Sequence, residues 1–299
     1  MKILLDFIML LNLILLISSK SIQISTEPPL QYPEPIGGWG DGDCQSTQIQ
    51  SPIEIPSLKD NSLINDNGTH AKIKSLSYTN IQSGEVKFDG GHKWTTEELD
   101  VGSIEIYLNE TLFNYKLHSF HFHLYSEHRL ESKQYPMELH LVHKNMNKSD
   151  TSNENLVIGI LFDYKDDKEN KFLKDVNLAE NKEINNASIF NLISKEDTFY
   201  YYKGSLTTIP CTENVNWIVF NDVKTMSYEQ YINFKNWVEI CNKEYYDNGY
   251  GNARGPKKLN GREIYIENYK EELPSNGNSW ISIVSITKLL IGAILIIFN

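Results

Sequence analysis

His121 and His123 stand either side of one phenylalanine in Ser119-Phe120-His121-Phe122-His123-Leu124, and Met137-Glu138-Leu139-His140-Leu141-Val142-His143 follows closely. On a β-strand, residues two apart point to the same face, so His121 and His123 present both imidazoles to one side while Phe120 and Phe122 face a core. That is half a metal site. A neighbouring strand carrying His140 completes a set of three nitrogens and leaves the fourth tetrahedral position open, as a catalytic rather than a structural zinc requires. Metal-bound histidines pass their second N–H to a carboxylate or carbonyl, and Glu138 falls on the same strand face as His140. A lone His-x-His is more often two half-buried polar side chains. The Glu-x-His strand at hairpin distance shifts the reading to a metal.

The elements that must position these side chains read mostly as strands: Ala71 to Tyr78, Ile104 to Leu108, Lys116 to Leu124, Met137 to His143, Leu156 to Phe162 and Val215 to Phe220. The best helical pattern is Ser227 to Tyr246, where Ser227 caps the start and Tyr231, Phe234, Trp237, Val238 and Cys241 recur at helical spacing. Asp166 to Asn186 is charged and rich in Asn and Lys, which predicts a solvated helix and loop. The expectation is a mostly β (α+β) single domain: a large, mainly antiparallel twisted sheet with a few peripheral helices. It covers residues 39–272, after a Pro-rich extended arm over 22–38.

With 299 residues and 40% hydrophobic content, the chain can bury a sizeable core. A net charge of -11 argues against a nucleic-acid partner, which needs a basic surface. A small or neutral substrate is easier to accommodate. Residues 1–21 read as a signal peptide. Residues 273–299 combine small residues (Ser275, Asn276, Gly277, Asn278) with an apolar run from Leu289 to Phe298, the pattern of a GPI-anchor signal. The competing spanning helix from Trp280 would set Lys288 mid-bilayer. Sequons at Asn67, Asn109, Asn147 and Asn186 fit the secretory pathway and an extracellular membrane face. In that oxidising compartment two of Cys44, Cys211 and Cys241 should pair, and sequence alone allows three pairings.

The blocks His121-Phe122-His123, Ser126-Glu127-His128 and Tyr135-Pro136-Met137-Glu138-Leu139-His140-Leu141-Val142-His143 resemble the signature of the α-class carbonic anhydrases. Supporting blocks follow the family's order: Gln50-Ser51-Pro52-Ile53, Gly90-Gly91-His92, Gly204-Ser205-Leu206-Thr207-Thr208, Trp217, Asn252-Ala253-Arg254 and Leu259-Asn260-Gly261-Arg262. The resemblance runs from about Trp39 to Tyr265 and implies reversible hydration of carbon dioxide to bicarbonate and a proton, with Zn2+ on His121, His123 and His140. In that family the metal lowers the pKa of its water to about 7, the family's own reference value rather than one read from this chain.

The resemblance also distributes roles. Thr207 accepts the proton of the zinc-bound hydroxide and donates its own to Glu127, a carboxylate that forces the direction of the hydrogen bond. His128, Tyr202, Asn252 and Glu138 support this network from behind. Val142, Val157, Leu206, Thr208, Val215 and Trp217 fall at the positions of a pocket for the uncharged substrate. His92 matches the proton shuttle, a task suited to a group with a pKa near 6.5. Cys44 and Cys211 coincide with the cysteines that secreted relatives join, which leaves Cys241 on the helix. Among the departures, Ser119 replaces a glutamine bonded to the first ligand in many animal members, and Leu124-Tyr125 gives the short spacing of bacterial, plant and protist relatives. The alternative function is a non-catalytic cell-surface binding module on the same scaffold. Such modules lose zinc histidines, and here all three are present.

Overall fold

Runs rich in Ile, Val, Tyr and Phe, broken by Asn, Gly and Asp, set most of this chain into strands. The computed structural model describes residues 42–269 except 47, 58–63, 66–69, 89–93, 97–98, 166–167, 179–182, 195 and 242–251. The expected signal, arm and C-terminal anchor segments lie outside the described residues, as do Asn67 and His92. No helix among the described residues is long and apolar enough to cross a membrane.

In chain order the strands are β1 (Glu54–Ile55), β2 (Ile64–Asn65), β3 (Ala71–Tyr78), β4 (Lys87–Phe88), β5 (Trp94–Thr96), β6 (Gly102–Leu108) and β7 (Thr111–Leu124). There follow β8 (Arg129–Leu130), β9 (Lys133–Gln134), β10 (Met137–Asn145), β11 (Asn155–Tyr164), β12 (Thr198–Ser205), β13 (Glu213–Phe220), β14 (Lys224–Met226) and β15 (Ile264–Asn268). Two α-helices, α1 (Lys171–Val176) and α2 (Tyr228–Cys241), and three short 3-10 helices complete the regular structure described. Twelve strands join one sheet whose main path is β2-β15-β12-β13-β11-β10-β7-β5-β4, with β3 and β6 added beside the first half of β7 and β14 beside β11. The central run β7-β10-β11 is antiparallel, and the step from β11 to β13 is parallel.

The sheet separates two apolar clusters, and residue parity decides which side chain joins which. Phe120, Phe122, Leu139, Leu141, Ile158 and Ile160 pack on one face with Phe234, Trp237 and Val238 of α2. Val157, Leu161, Tyr202, Val215, Trp217 and Val219 pack on the other with Ile53, Ile55, Leu130 and Ile264. The α2 helix begins as the sequence implies: Ser227 Oγ accepts the Gln230 N–H while Gln230 Oε1 accepts the Ser227 N–H, a reciprocal capping box. The expected solvated helix within 166–186 needs correcting. Asn170 caps α1, which buries Phe172, Leu173 and Val176, because an apolar stripe hides among its lysines.

A long-range tie closes the fold: Cys44 and Cys211, 167 residues apart, are joined as a disulfide. Loop closure of that length stabilises by up to about 5 kcal/mol in the chain-entropy picture. Beside it, the buried guanidinium of Arg254 donates from Nη1 to Gln50 Oε1 and the Ser51 carbonyl, and from Nη2 to the Cys44 carbonyl.

His143 ends the β10 motif but faces away from His140, after a bulge between Val142 and His143. It is fully buried, with Nε2 2.8 Å from the Tyr78 hydroxyl and Nδ1 3.0 Å from the Leu141 carbonyl. Burial pushes the ring down to about 4, against hydrogen bonds to the Leu141 and Leu156 backbone that raise it. Below about pH 6.5 the unfolded chain binds a proton here that the folded chain resists. This contribution to stability is therefore intact above 6.5 and lost as pH falls towards 4, by about 3 kcal/mol at the low end. Urea unfolding from about pH 7 to pH 4 is expected to decline less steeply for His143→Leu than for the wild type. Equal declines would clear His143 of the acid sensitivity.

Candidate metal centre

The register of β7 against β10 sets His140 directly opposite His121 and Glu138 opposite His123. Three buried imidazoles converge as a result: one nitrogen from each of His121, His123 and His140 lies within 4.8 Å of the others. His121 Nε2 and His140 Nδ1 are 3.1 Å apart.

The far sides of two rings are held by groups that only accept. His123 Nδ1 donates to the Asn252 carbonyl at 3.2 Å, and His140 Nε2 donates to Glu138 Oε1 at 2.8 Å. With those protons committed, His123 Nε2 and His140 Nδ1 carry inward-facing lone pairs. Asn252 is itself pinned to β7, accepting the Leu124 N–H and donating to the Phe122 carbonyl. Three neutral nitrogen donors on one sheet, with the outer nitrogens of His123 and His140 engaged as described, fit a tetrahedral cation with one open position.

A second cluster, His128, Glu138 and His140, also meets the spacing for a metal. Its atoms are already engaged. Glu138 Oε1 accepts from His128 Nδ1 at 2.7 Å as well as from His140, while Oε2 accepts the N–H groups of Glu127 and His128 at 2.8 and 2.9 Å. Burial alone would raise this carboxyl. The N–H groups that His128 and His140 direct at it prevail and hold it well below the usual carboxylate range. The cluster is a bracket for His140, and it continues outward: His128 Nε2 lies 2.7 Å from the Tyr202 hydroxyl, itself 2.9 Å from Ser51 Oγ. Ser51 and Ser205 then exchange backbone-to-hydroxyl hydrogen bonds, which ties the bracket to the strand leading into Leu206-Thr207.

Glu127 lies beside the triad. Oε1 is 3.4 Å from His123 Nδ1, and Oε2 is 3.9 Å from His140 Nδ1. Burial pushes its carboxyl well above the ordinary value, against a hydrogen bond from Thr207 and another from the Arg254 N–H, at 2.9 Å. Val157, Val215 and Trp217 are buried in the adjoining apolar cluster, with Val142 and Leu206 partly buried against it. Trp217 packs edge-on to His140, ring centroids 4.9 Å apart, and donates Nε1–H to the Ser205 carbonyl. Half-buried Thr208 gives its carbonyl to the Cys211 N–H. Asn109, Asn147 and Asn186 are exposed on the surface.

Two residues of this arrangement were not singled out as site residues from the sequence. Arg254 appeared only within its Asn-Ala-Arg block, and an arginine carries no local sign of being interior. Gly159 stands opposite His140 on β11, where a Cβ would come within 2.8 Å of Glu138 Oε1. A glycine inside a strand is the available signal for such a close approach.

Fold and site together define a β-sheet protein with a buried triad of histidines placed to hold a metal ion. A family model described as eukaryotic-type carbonic anhydrase matches residues 37–268. Alpha carbonic anhydrase 3 of Arabidopsis thaliana is 34% identical over 197 residues, a match spanning 63% of this chain and 64% of that protein. Carbonic anhydrase Nec1 of Nesocodon mauritianus is 29% identical over 289 residues, spanning 89% of this chain and 95% of the relative. The solved alpha-carbonic anhydrase from Thermovibrio ammonificans, in complex with the inhibitor sulfanilamide, superimposes with a TM-score of 0.56 at 27% identity, covering 75% of this chain and 89% of that one. This chain belongs to the eukaryotic-type, α-class carbonic anhydrase family.

Gly159→Ala is expected to displace Glu138 from His140 and weaken zinc binding by about 10- to 100-fold. Competition with a chromogenic chelator measures this. Unchanged affinity would show that the carboxylate has room the structure does not suggest.

Proposed function

We propose that this chain is a zinc enzyme for the reversible hydration of carbon dioxide to bicarbonate and a proton. The carrying observation is that three buried imidazoles converge beside Glu127, which accepts a hydrogen bond from the Thr207 hydroxyl. His121, His123 and His140 would hold a zinc ion, which would supply a Lewis acid able to lower the pKa of water towards neutrality.

The residues around it do the positioning. With its hydroxyl hydrogen directed at Glu127, Thr207 has only lone pairs to offer, so it would accept a hydrogen bond from the oxygen nucleophile and orient it towards the substrate. The Arg254 N–H on Glu127 Oε1 keeps this group from rotating away, and with the Thr207 hydroxyl it favours the ionised form that burial opposes. Val142, Val157, Leu206, Val215 and Trp217 offer an apolar wall beside the triad, suited to a molecule without charge or dipole. Thr208 closes the rim, and His92 is the proposed carrier of the proton to buffer.

The disulfide and the exposed sequons at Asn109, Asn147 and Asn186 support passage through the secretory pathway. Residues 273–299 are proposed to direct a GPI anchor that holds the enzyme at the extracellular face of the plasma membrane.

In stopped-flow hydration assays, His140→Ala is expected to lose bound zinc and activity together, and Thr207→Ala to keep zinc while slowing turnover about a hundredfold. Zinc-loaded wild type with no hydration activity would overturn the proposal. His92→Ala should be slow chiefly in dilute buffer and recover with imidazole. Absence of recovery would reassign the shuttle. Phosphatidylinositol-specific phospholipase is expected to release the protein from cells, and retention would favour a spanning tail.

A further inference from the structure

The hairpin turn between β6 and β7 consists of Asn109 and Glu110, both left-handed with φ 45° and 68°, the pattern of a type I′ turn. Asn109 and Thr111, the two defining residues of a sequon, are exposed there. The turn borders a cavity of about 200 Å3 lined by Asn109, His70, Tyr201, Lys203, Arg262 and Tyr265 among others. Its aromatic members form a ladder. His70 stacks on Tyr265 with ring centroids 3.7 Å apart and 23° between planes, and Tyr265 stacks on Tyr201 at 6.2 Å.

We propose that Asn109 carries an N-linked glycan whose first N-acetylglucosamine docks in this cavity. The inference rests on the secretory reading above. Asn109 Oδ1 lies 3.2 Å from His70 Nδ1, so the ring N–H orients the carboxamide and leaves Nδ2, the atom that bears a sugar, available at the cavity edge. A pyranose ring has an apolar C–H face that suits half-buried aromatic rings, and hydroxyl and acetamido groups that need donors. Lys203 Nζ bonds the Ser152 carbonyl and Asn153 Oδ1, which leaves one of its three N–H groups for such a contact. The other described sequons lack this setting. Asn147 Oδ1 takes the N–H and hydroxyl of its own sequon serine, Ser149, and Asn186 Oδ1 accepts from Asn80. Neither asparagine borders the cavity.

The test uses the full chain from a eukaryotic secretory host, with glycopeptides mapped by mass spectrometry and glycans trimmed to their first sugar. Thr111→Val removes the sequon and leaves the Asn109 turn in place. It is expected to lower Tm by about 2–4 °C in the wild-type background and by less than half of that in Tyr265→Ala, although Asn109 remains occupied in the latter. Equal Tm losses in both backgrounds would overturn the docking, and so would a bare Asn109 on a chain glycosylated at Asn147 or Asn186. A chain without glycan at any sequon would overturn the secretory reading together with this one.

Discussion

Glu138 is a fully buried carboxylate surrounded by four N–H donors, two from imidazoles and two from consecutive backbone amides. A charge so far from water persists only if every lone pair is met, and here each is. The same contacts fix the ring of His140, place the backbone that carries Glu127, and orient His128 towards Tyr202. Remove that anion and three parts of the site lose their common reference at once. The glycine at position 159 follows from it, since nothing larger fits against the carboxylate from β11.

Around that anchor, two further constraints hold the segment that carries Leu206 and Thr207. The Ser51–Ser205 exchange and the Trp217 bond to the Ser205 carbonyl set where β12 ends. The disulfide joins Cys44 to Cys211, while Arg254 holds the Cys44 and Ser51 carbonyls with its guanidinium and Glu127 with its backbone N–H. Thr207 sits between them, so its hydroxyl is aimed by parts of the chain that are distant in sequence. Under the proposed function this would be the preorganisation that electrostatic catalysis requires, built from hydrogen bonds made before substrate arrives.

Much of this was legible from residue types. The period-two spacing of Phe120, His121, Phe122 and His123 placed imidazoles and phenylalanines on opposite faces, as the two apolar clusters require. Ala71–Tyr78 was read with the bounds it has, as were the end of β7 at Leu124 and the start of β10 at Met137, while the start of β7, the end of β10 and both ends of β11 were read short by one to five residues. The Ser227 cap of α2 was visible because capping is a local matter. The buried stripe of α1 was not, because Phe172, Leu173 and Val176 sit among lysines and aspartate, and only a waiting hydrophobic surface reveals that three of six positions turn inward.

The sequence by itself determined the donor set, its parity and the apolar faces, since these depend on side-chain type and strand geometry within a few residues. Register between strands, the Cys44–Cys211 pairing and the interior place of Arg254 were decided by tertiary structure. Each joins segments that no short-range pattern connects, and each is stable only where the rest of the fold excludes water and supplies the remaining partners.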